Sequence, residues 1–347
     1  MTEIMTTWLE FLTQQGARIA DASVPQVLDF SASPPPSTNF VSPLTDLGLI
    51  AATGEDAAKF LHSQLTNDVE HLGSGDARLA GYCSPKGRLL ATFLMWKSAD
   101  TVLLQLPREI QAAVQKRLQM FVLRAKAKLA DATPDHVMLG LAGPLAAGVL
   151  QEWFPLLPSQ PYAKVESEAG TLIREAGAPR YQWITTQTVA QQAWPTLVKT
   201  LQPVGSSAWR LSSIQAGTPQ ITLPTQEQFV PQMVNFEIIG GVNFKKGCYP
   251  GQEIVARSQY LGKLKRRTLL ASIETTDAKA GMEVFSPADP EQPCGMIVNA
   301  ELQSPGKFES LVEIKIAVME AGSVHLGSAS GPQLQFAPLP YPLPDPV

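Results

Sequence analysis

The chain has 347 residues, 44% of them apolar and 17% charged, which is enough apolar surface for two or three domain cores and argues against disorder. Its net charge of −4 exerts no global pull on nucleic acid or an anionic membrane. No run reaches the ~18–20 apolar residues of a membrane span, the N-terminus lacks the basic-then-apolar pattern of a secretory signal, and three cysteines are too few for a disulfide framework, so the cytoplasm is the expected compartment.

Residues 1–41 read as an appendage: one amphipathic stretch around Trp8-Leu9 and Phe11-Leu12, then a Pro/Ser run at 31–37 that predicts an extended linker. Folding starts near Val41. Leu47 to Ala52 predicts a short buried strand, and Thr53 caps a helix carrying Ala57, Phe60, Leu61 and Leu65 on its apolar face. Arg78 to Cys83, Leu89 to Trp96 and Val102 to Leu106 predict an antiparallel meander, with the turn Ser84-Pro85-Lys86-Gly87 between its first two strands. Pro107 opens a helix with Ile110, Val114, Leu118 and Phe121 at helical spacing. Val122 to Leu129 alternates basic and apolar residues, as a strand with one wet face does.

From Asp135 to Val204 the order strand, helix, strands, helix matches a ferredoxin-like split βαβ layer. From Trp209 to Gly251 the chain is irregular and rich in Gly, Pro and Gln, and from Leu269 onward short strands at regular spacing predict a small closed barrel. The tail repeats proline at 338, 340, 342, 344 and 346, so an extended segment outside any core is expected.

One run stands apart chemically: Lys245-Lys246-Gly247-Cys248-Tyr249-Pro250-Gly251-Gln252-Glu253. Pro250-Gly251 suits the centre of a type II turn, where Gly accepts positive φ. Gly247 lets a ligand approach the backbone. The two lysines favour the Cys248 thiolate, and the Glu253 carboxylate could grip the N–H edge of a heterocycle. A lone cysteine is more often inert packing. The polar neighbours of Cys248 point instead to function, whereas Cys83 and Cys294 lie in strand patterns and read as packing. From Lys245 to Arg267 seven basic residues face one acid, Glu253; such a segment binds anions or RNA, or serves as a solvated strand edge. The four histidines show no metal-ligand spacing, and no metal is expected.

The run Lys246 to Glu253 resembles the K-G-C-Y-x-G-Q-E signature of the YgfZ family, folate-binding proteins related to the glycine cleavage T-protein. The resemblance extends to Gln64-Leu65-Thr66-Asn67-Asp68-Val69, Lys86-Gly87-Arg88, Gln215-Ala216-Gly217, Phe229-Val230-Pro231-Gln232, Asn235 and Gly240-Gly241, and spans about residues 42 to 320. It implies an α+β fold, a three-domain ring like that of the T-protein: a folate-binding domain split between 42–134 and 206–262, a ferredoxin-like domain at 135–205 and a C-terminal β-barrel at 263–336, with a Pro-rich tail at 337–347. It implies tetrahydrofolate near the ring centre and a role in maturing or repairing iron–sulfur enzymes, including one that thiomethylates tRNA. Small-molecule folate and iron–sulfur client enzymes are thus the expected partners. Trp209 matches one of two tryptophans that some members place against folate; the other falls at Leu47, which offers an apolar wall without a stacking face.

The expected site therefore comprises Cys248 as the functional thiol, opening toward the folate cavity, and Trp209, Leu47, Glu253, Tyr249, Lys246 and Arg257 around the cofactor, with Lys245 assisting anion binding. The T-protein carries an aspartate on the strand equivalent to Gly87 to Thr92. Neither Leu90 nor Ala91 is acidic, which removes the obvious proton carrier for aminomethyl transfer. The leading expectation is an accessory protein without classical turnover; a folate-dependent one-carbon transferase is the alternative, and an RNA-binding module the third reading, which the net acidity opposes.

Overall fold

The computed structural model describes residues 7–30, 38–260, 264–318 and 322–344. The Pro/Ser run at 31–37, Lys263 and Pro346 lie outside the described residues.

In chain order the elements are α1 (Trp8–Gln14), β1 (Ala17–Ile19), β2 (Val27–Phe30), β3 (Phe40–Pro43), β4 (Leu47–Thr53), α2 (Ala57–His62), β5 (Ala77–Cys83), β6 (Leu89–Ser98), β7 (Thr101–Pro107), α3 (Arg108–Gln119) and β8 (Lys128–Asp131). Next come β9 (Val137–Ala142), α4 (Ala146–Leu150), β10 (Lys164–Ser167), β11 (Gly170–Arg174), β12 (Arg180–Thr185), α5 (Gln187–Thr200), β13 (Gln202–Pro203), α6 (Ser206–Gln215) and α7 (Gln252–Tyr260). The chain continues through β14 (Arg266–Glu274), β15 (Glu283–Ser286), β16 (Asp289–Ser304), β17 (Lys307–Lys315), β18 (His325–Leu326) and β19 (Leu334–Ala337).

Three large sheets and a two-stranded antiparallel ribbon, β1-β2, organise these elements. The meander forms as expected and extends into a five-stranded sheet, order β5-β6-β7-β4-β8. Helices α2 and α3 cover one face, burying Phe60, Leu61, Ile110, Val114 and Leu118. The middle sheet has six strands, order β10-β11-β12-β9-β3-β13. The third sheet, order β18-β15-β16-β17-β14-β19, curls into a half-barrel whose edges meet at one bridge, His325 to Gln333. The other face of the first sheet meets the middle and third sheets in a shared core that includes Leu47, Leu79, Trp96, Met138, Ile184, Trp209 and Leu311.

Several local expectations are corrected. Thr53 ends β4 instead of capping a helix: Gly54 turns the chain at φ +107° and α2 begins only at Ala57. Of the predicted strand at Val122 to Leu129, only the end is extended, because Leu123 takes φ +43° and the segment before Lys128 turns. Trp209 lies within α6 and not in irregular chain.

The N-terminal residues are not an appendage. Trp8 and Phe30 pack on Trp194 of α5, with ring centroids 5.8 and 5.6 Å away, and β3 runs antiparallel to β9 inside the middle sheet. The proline tail is likewise no free extension. Leu339 packs against the shared core, and the Tyr341 hydroxyl donates to the Gly217 carbonyl at 2.8 Å. Proline spacing fixes backbone extension and says nothing about what the intervening Leu and Tyr touch.

Candidate functional site

A cavity of about 190 Å³ opens where the three sheets converge. Leu79, Thr92, Leu94 and Gln105 of the first sheet line one side; Glu175, Arg180 and Gln182 the middle-sheet side; Trp209 and Arg210 come from α6, and Asn299 and Glu301 from β16. Its volume lies below the ~300 Å³ at which pockets for whole drug-sized ligands begin, so it has room for a fused ring with the remainder of a ligand outside.

The register of β9 and β12 explains how the wall is built. Gly140 pairs with Gln182 and Ala142 with Arg180, and alternation puts 140, 142, 180 and 182 on one face of the sheet. The Trp209 ring lies on that face: a Cβ at Gly140 would come within 2.4 Å of it, and the Arg180 guanidinium stands 5.0 Å from its centroid. Trp209 also lines the cavity. Leu47 forms apolar wall in the same cavity.

The cavity's polar groups were not legible in the sequence. Arg180 is buried, with Nε donating to the Ala176 carbonyl at 2.9 Å and Nη1 to the Ser212 and Ser213 hydroxyls at 2.9 Å each. Burial pushes the Glu175 carboxyl up from its ordinary range, while the positive fields of Arg180 and Arg174 pull it down. Gln182 is 1% exposed and its Nε2 has no hydrogen-bond partner, a donor left for something in the cavity. Asp46 and Glu301 share Arg210, so these two carboxylates are already neutralised.

The Cys248 loop sits elsewhere: none of Lys246, Cys248, Tyr249, Glu253 and Arg257 lines this cavity, and the expectation that the thiol opens into it is not met. The reason is the anchoring of the loop. Lys246 Nζ donates to the carbonyls of His62 (2.5 Å), Leu65 (2.9 Å) and Gly247 (3.3 Å) and lies 4.8 Å from the Tyr249 ring centroid. An ammonium has three hydrogens, so this one is spent on the fold and not on an anionic ligand. Tyr249 is buried and Cys248 is exposed. Glu253 and Arg257, 3.9 Å apart on α7, face solvent. Cys83 and Cys294 are buried, as packing residues are, and burial pushes the Cys83 thiol up to about 12.

The Pro250-Gly251 turn forms as predicted. Gln252 N–H donates to the Tyr249 carbonyl at 3.2 Å, and Gly251 adopts φ +80°. A Cβ at Gly251 would lie 2.4 Å from the Ser84 carbonyl oxygen and 2.7 Å from the Gly87 Cα, so the two turns pack backbone to backbone. Gly251→Ala combines an unfavourable φ with overlap against backbone, and an expected loss of about 1–3 kcal/mol is checked by urea denaturation.

The remaining signature residues also turn out to be wiring. Thr66 Oγ1 donates to the Gly241 carbonyl at 2.6 Å, Asn67 Nδ2 to that of Gly240 at 2.7 Å, and Gln232 Nε2 to that of Val255 at 2.8 Å. The basic segment is thinner than its sequence suggests: Arg266 pairs with Glu313, Arg267 with Glu237, and Lys246 with carbonyls. Among the described residues, no group of three or more His, Cys, Asp or Glu is disposed to hold a metal ion, and no helix is long and apolar enough to cross a membrane.

Against known proteins, residues 41–167 match the GCVT N-terminal domain family model. The chain is 33% identical over 245 residues to the tRNA-modifying protein YgfZ of Cronobacter sakazakii, covering 68% of this chain and 74% of that protein. It is 29% identical over 327 residues to the tRNA-modifying protein YgfZ of Shigella sonnei, covering 90% and 99%. Among solved structures, the glycine cleavage system aminomethyltransferase T from Bartonella henselae superposes with a TM-score of 0.77 over 95% of both chains at 17% identity, which establishes a common fold.

Proposed function

From the premise that this chain belongs to the YgfZ family, we propose that it binds tetrahydrofolate and acts as a cytoplasmic accessory protein in the assembly or repair of iron–sulfur enzymes, among them enzymes that modify tRNA. The observation that carries the folate reading is the donor and acceptor set of the cavity. A pterin presents two adjacent N–H donors on its pyrimidine edge beside a carbonyl. Glu175 offers a carboxylate for the donors, the unpartnered Gln182 amide nitrogen a donor for the carbonyl, and Trp209 a flat apolar face for the ring. The benzoyl-glutamate tail would lie outside a cavity of about 190 Å³. Tetrahydrofolate supplies secondary amines that capture one-carbon units; this chain's residues bind and orient its ring.

The one-carbon transferase reading finds less support. The strand that carries the aspartate in the T-protein contributes Thr92, Phe93 and Leu94 to the wall, none of them acidic, and Asp46 and Glu301 are held by Arg210. With Glu175 engaged at the ring edge, no carboxylate is left to move a proton. The RNA-binding reading is weakened by the internal pairing of Lys246, Arg266 and Arg267. Cys248, exposed on its anchored loop, is the accessible thiol offered to client proteins, and it acts apart from the folate cavity.

Titration with tetrahydrofolate under tryptophan fluorescence tests the cavity assignment. Saturable quenching is expected, and Trp209→Phe should remove more than half its amplitude while weakening binding only a few-fold, since phenylalanine keeps an aromatic face. Absence of quenching, or an undiminished amplitude in the variant, rejects the assignment.

A further inference from the structure

One part of the cavity wall has no regular structure. After α6 the chain runs through Thr218, Pro219, Gln220 and Thr222, all lining the cavity, as neither helix nor strand. Side chains of two sheets hold its far half. Gln220 N–H donates to Asn299 Oδ1 at 2.9 Å, and the Gln220 carbonyl accepts from Asn299 Nδ2 at 2.8 Å. Ile221 N–H donates to Thr92 Oγ1 at 3.0 Å.

The near half begins at Gly217, and there the partner is the C-terminal tail. The Gly217 carbonyl accepts the Tyr341 hydroxyl at 2.8 Å. The fit is close: Gly217 has φ +66°, and a Cβ on it would lie 2.6 Å from Tyr341 Cε1, so an alanine would be both strained and in the way. Burial pushes the Tyr341 hydroxyl up to about 12, so it keeps its hydrogen at neutral pH. Leu339 packs against the shared core on the way there. Prolines 338, 340, 342 and 344 restrict the unfolded tail, which lowers the entropy lost when it docks.

The contact reaches further than one loop. Ala216, next to Gly217, abuts the turn between Glu175 and Arg180: a Cβ at Gly177 would lie 2.9 Å from the Ala216 Cβ. Tyr341 itself does not line the cavity. It holds the backbone on which two lining segments rest.

Resting on the assignment of this cavity as the folate site, we propose that the C-terminal tail is a strap and Tyr341 a positioning residue for the ligand. Its bond to Gly217 fixes the 217–221 wall segment and, through Ala216, the Glu175–Arg180 turn, in the arrangement that the bound ring meets. The ligand then spends little of its binding energy on ordering the wall.

Two measurements on the full-length protein test this, with two variants. Tyr341→Phe keeps the ring and removes the hydroxyl; Tyr341→Ala removes both. Hydrogen–deuterium exchange of the free protein, followed by peptide mass, reads the amides of Thr218, Gln220 and Ile221, all hydrogen-bonded in the fold. They are expected to exchange about fivefold faster in Tyr341→Phe and faster again in Tyr341→Ala, with peptides from β7 and β17 unchanged. Calorimetric titration should show tetrahydrofolate affinity falling in the same order, about threefold and then about tenfold. Unchanged exchange in the segment overturns the strap, and so does an equal rise in β7 and β17, which would mean a loosened fold. Parental affinity in Tyr341→Ala overturns the positioning role. A parent protein that binds no tetrahydrofolate overturns the cavity assignment instead, and the exchange pattern, measured without ligand, still decides the strap.

Discussion

Glu175→Gln is expected to weaken tetrahydrofolate binding by about 100-fold, equivalent to ~2.7 kcal/mol. The carboxylate can accept two parallel N–H bonds from the pterin edge, and hydrogen bonds to a charged group contribute ~1.5–3 kcal/mol each. Glutamine keeps the shape but turns an NH₂ donor against one of those donors, which leaves a buried polar clash. The free protein loses stability as well: burial pushes the Glu175 carboxyl up, but its charge balances the buried Arg180 guanidinium, and a buried charge left uncompensated is destabilising. Calorimetric titration, with a melting curve to confirm that the variant is folded at the titration temperature, separates the two effects: a large affinity loss in a folded protein is expected. Unaltered affinity would place the ligand's polar edge elsewhere.

Arg180→Leu is expected to destabilise the fold by about 3–5 kcal/mol, the usual result of leaving a buried charge uncompensated. It removes a buried cation that balances Glu175, the stacking on Trp209, and the donors to Ala176, Ser212 and Ser213. The pH dependence carries the diagnosis. Without Arg180 the Glu175 carboxyl rises further above its unfolded value and folds protonated. A raised carboxyl contributes stability that is fully present below the unfolded pKa and is lost as pH climbs through the folded one. The deficit of the variant should therefore be smaller at pH 5 than at pH 8, and adding Glu175→Gln should recover a large part of it at pH 8. Urea denaturation at both values measures this. A deficit independent of pH would mean that lost packing alone is responsible.

These groups escaped the sequence for a physical reason. The meander was readable because its strands are adjacent and punctuated by turn residues, and the Pro250-Gly251 turn because only glycine accepts the φ it requires. Glu175 and Arg180 flank the Gly177 turn and look like the solvated ends of two strands. Arg180 is covered by α6, through Trp209, Ser212 and Ser213, and both residues line a cavity shared with the first sheet, which local patterning does not reveal. The N-terminal stretch obeys the same logic: Trp8 and Phe30 find their partner in Trp194, far along the chain. The signature around Cys248 was visible as chemistry. Its lysine and tyrosine prove to be anchors, since hydrogen bonds to backbone carbonyls leave no mark in a motif.

The cavity's composite wall has a consequence for biosynthesis. Its lining runs from Asp46 through Glu175 and Arg210 to Glu301, so a nascent chain on the ribosome lacks a complete chamber until β16 has been translated. The first sheet can settle early on its own local pairings, whereas closure around a guest must wait for contacts of long sequence separation, which form slowly. A guest bound there would therefore be enclosed only after those distant contacts have formed, and a fragment ending before β16 would lack the Asn299 and Glu301 part of the wall.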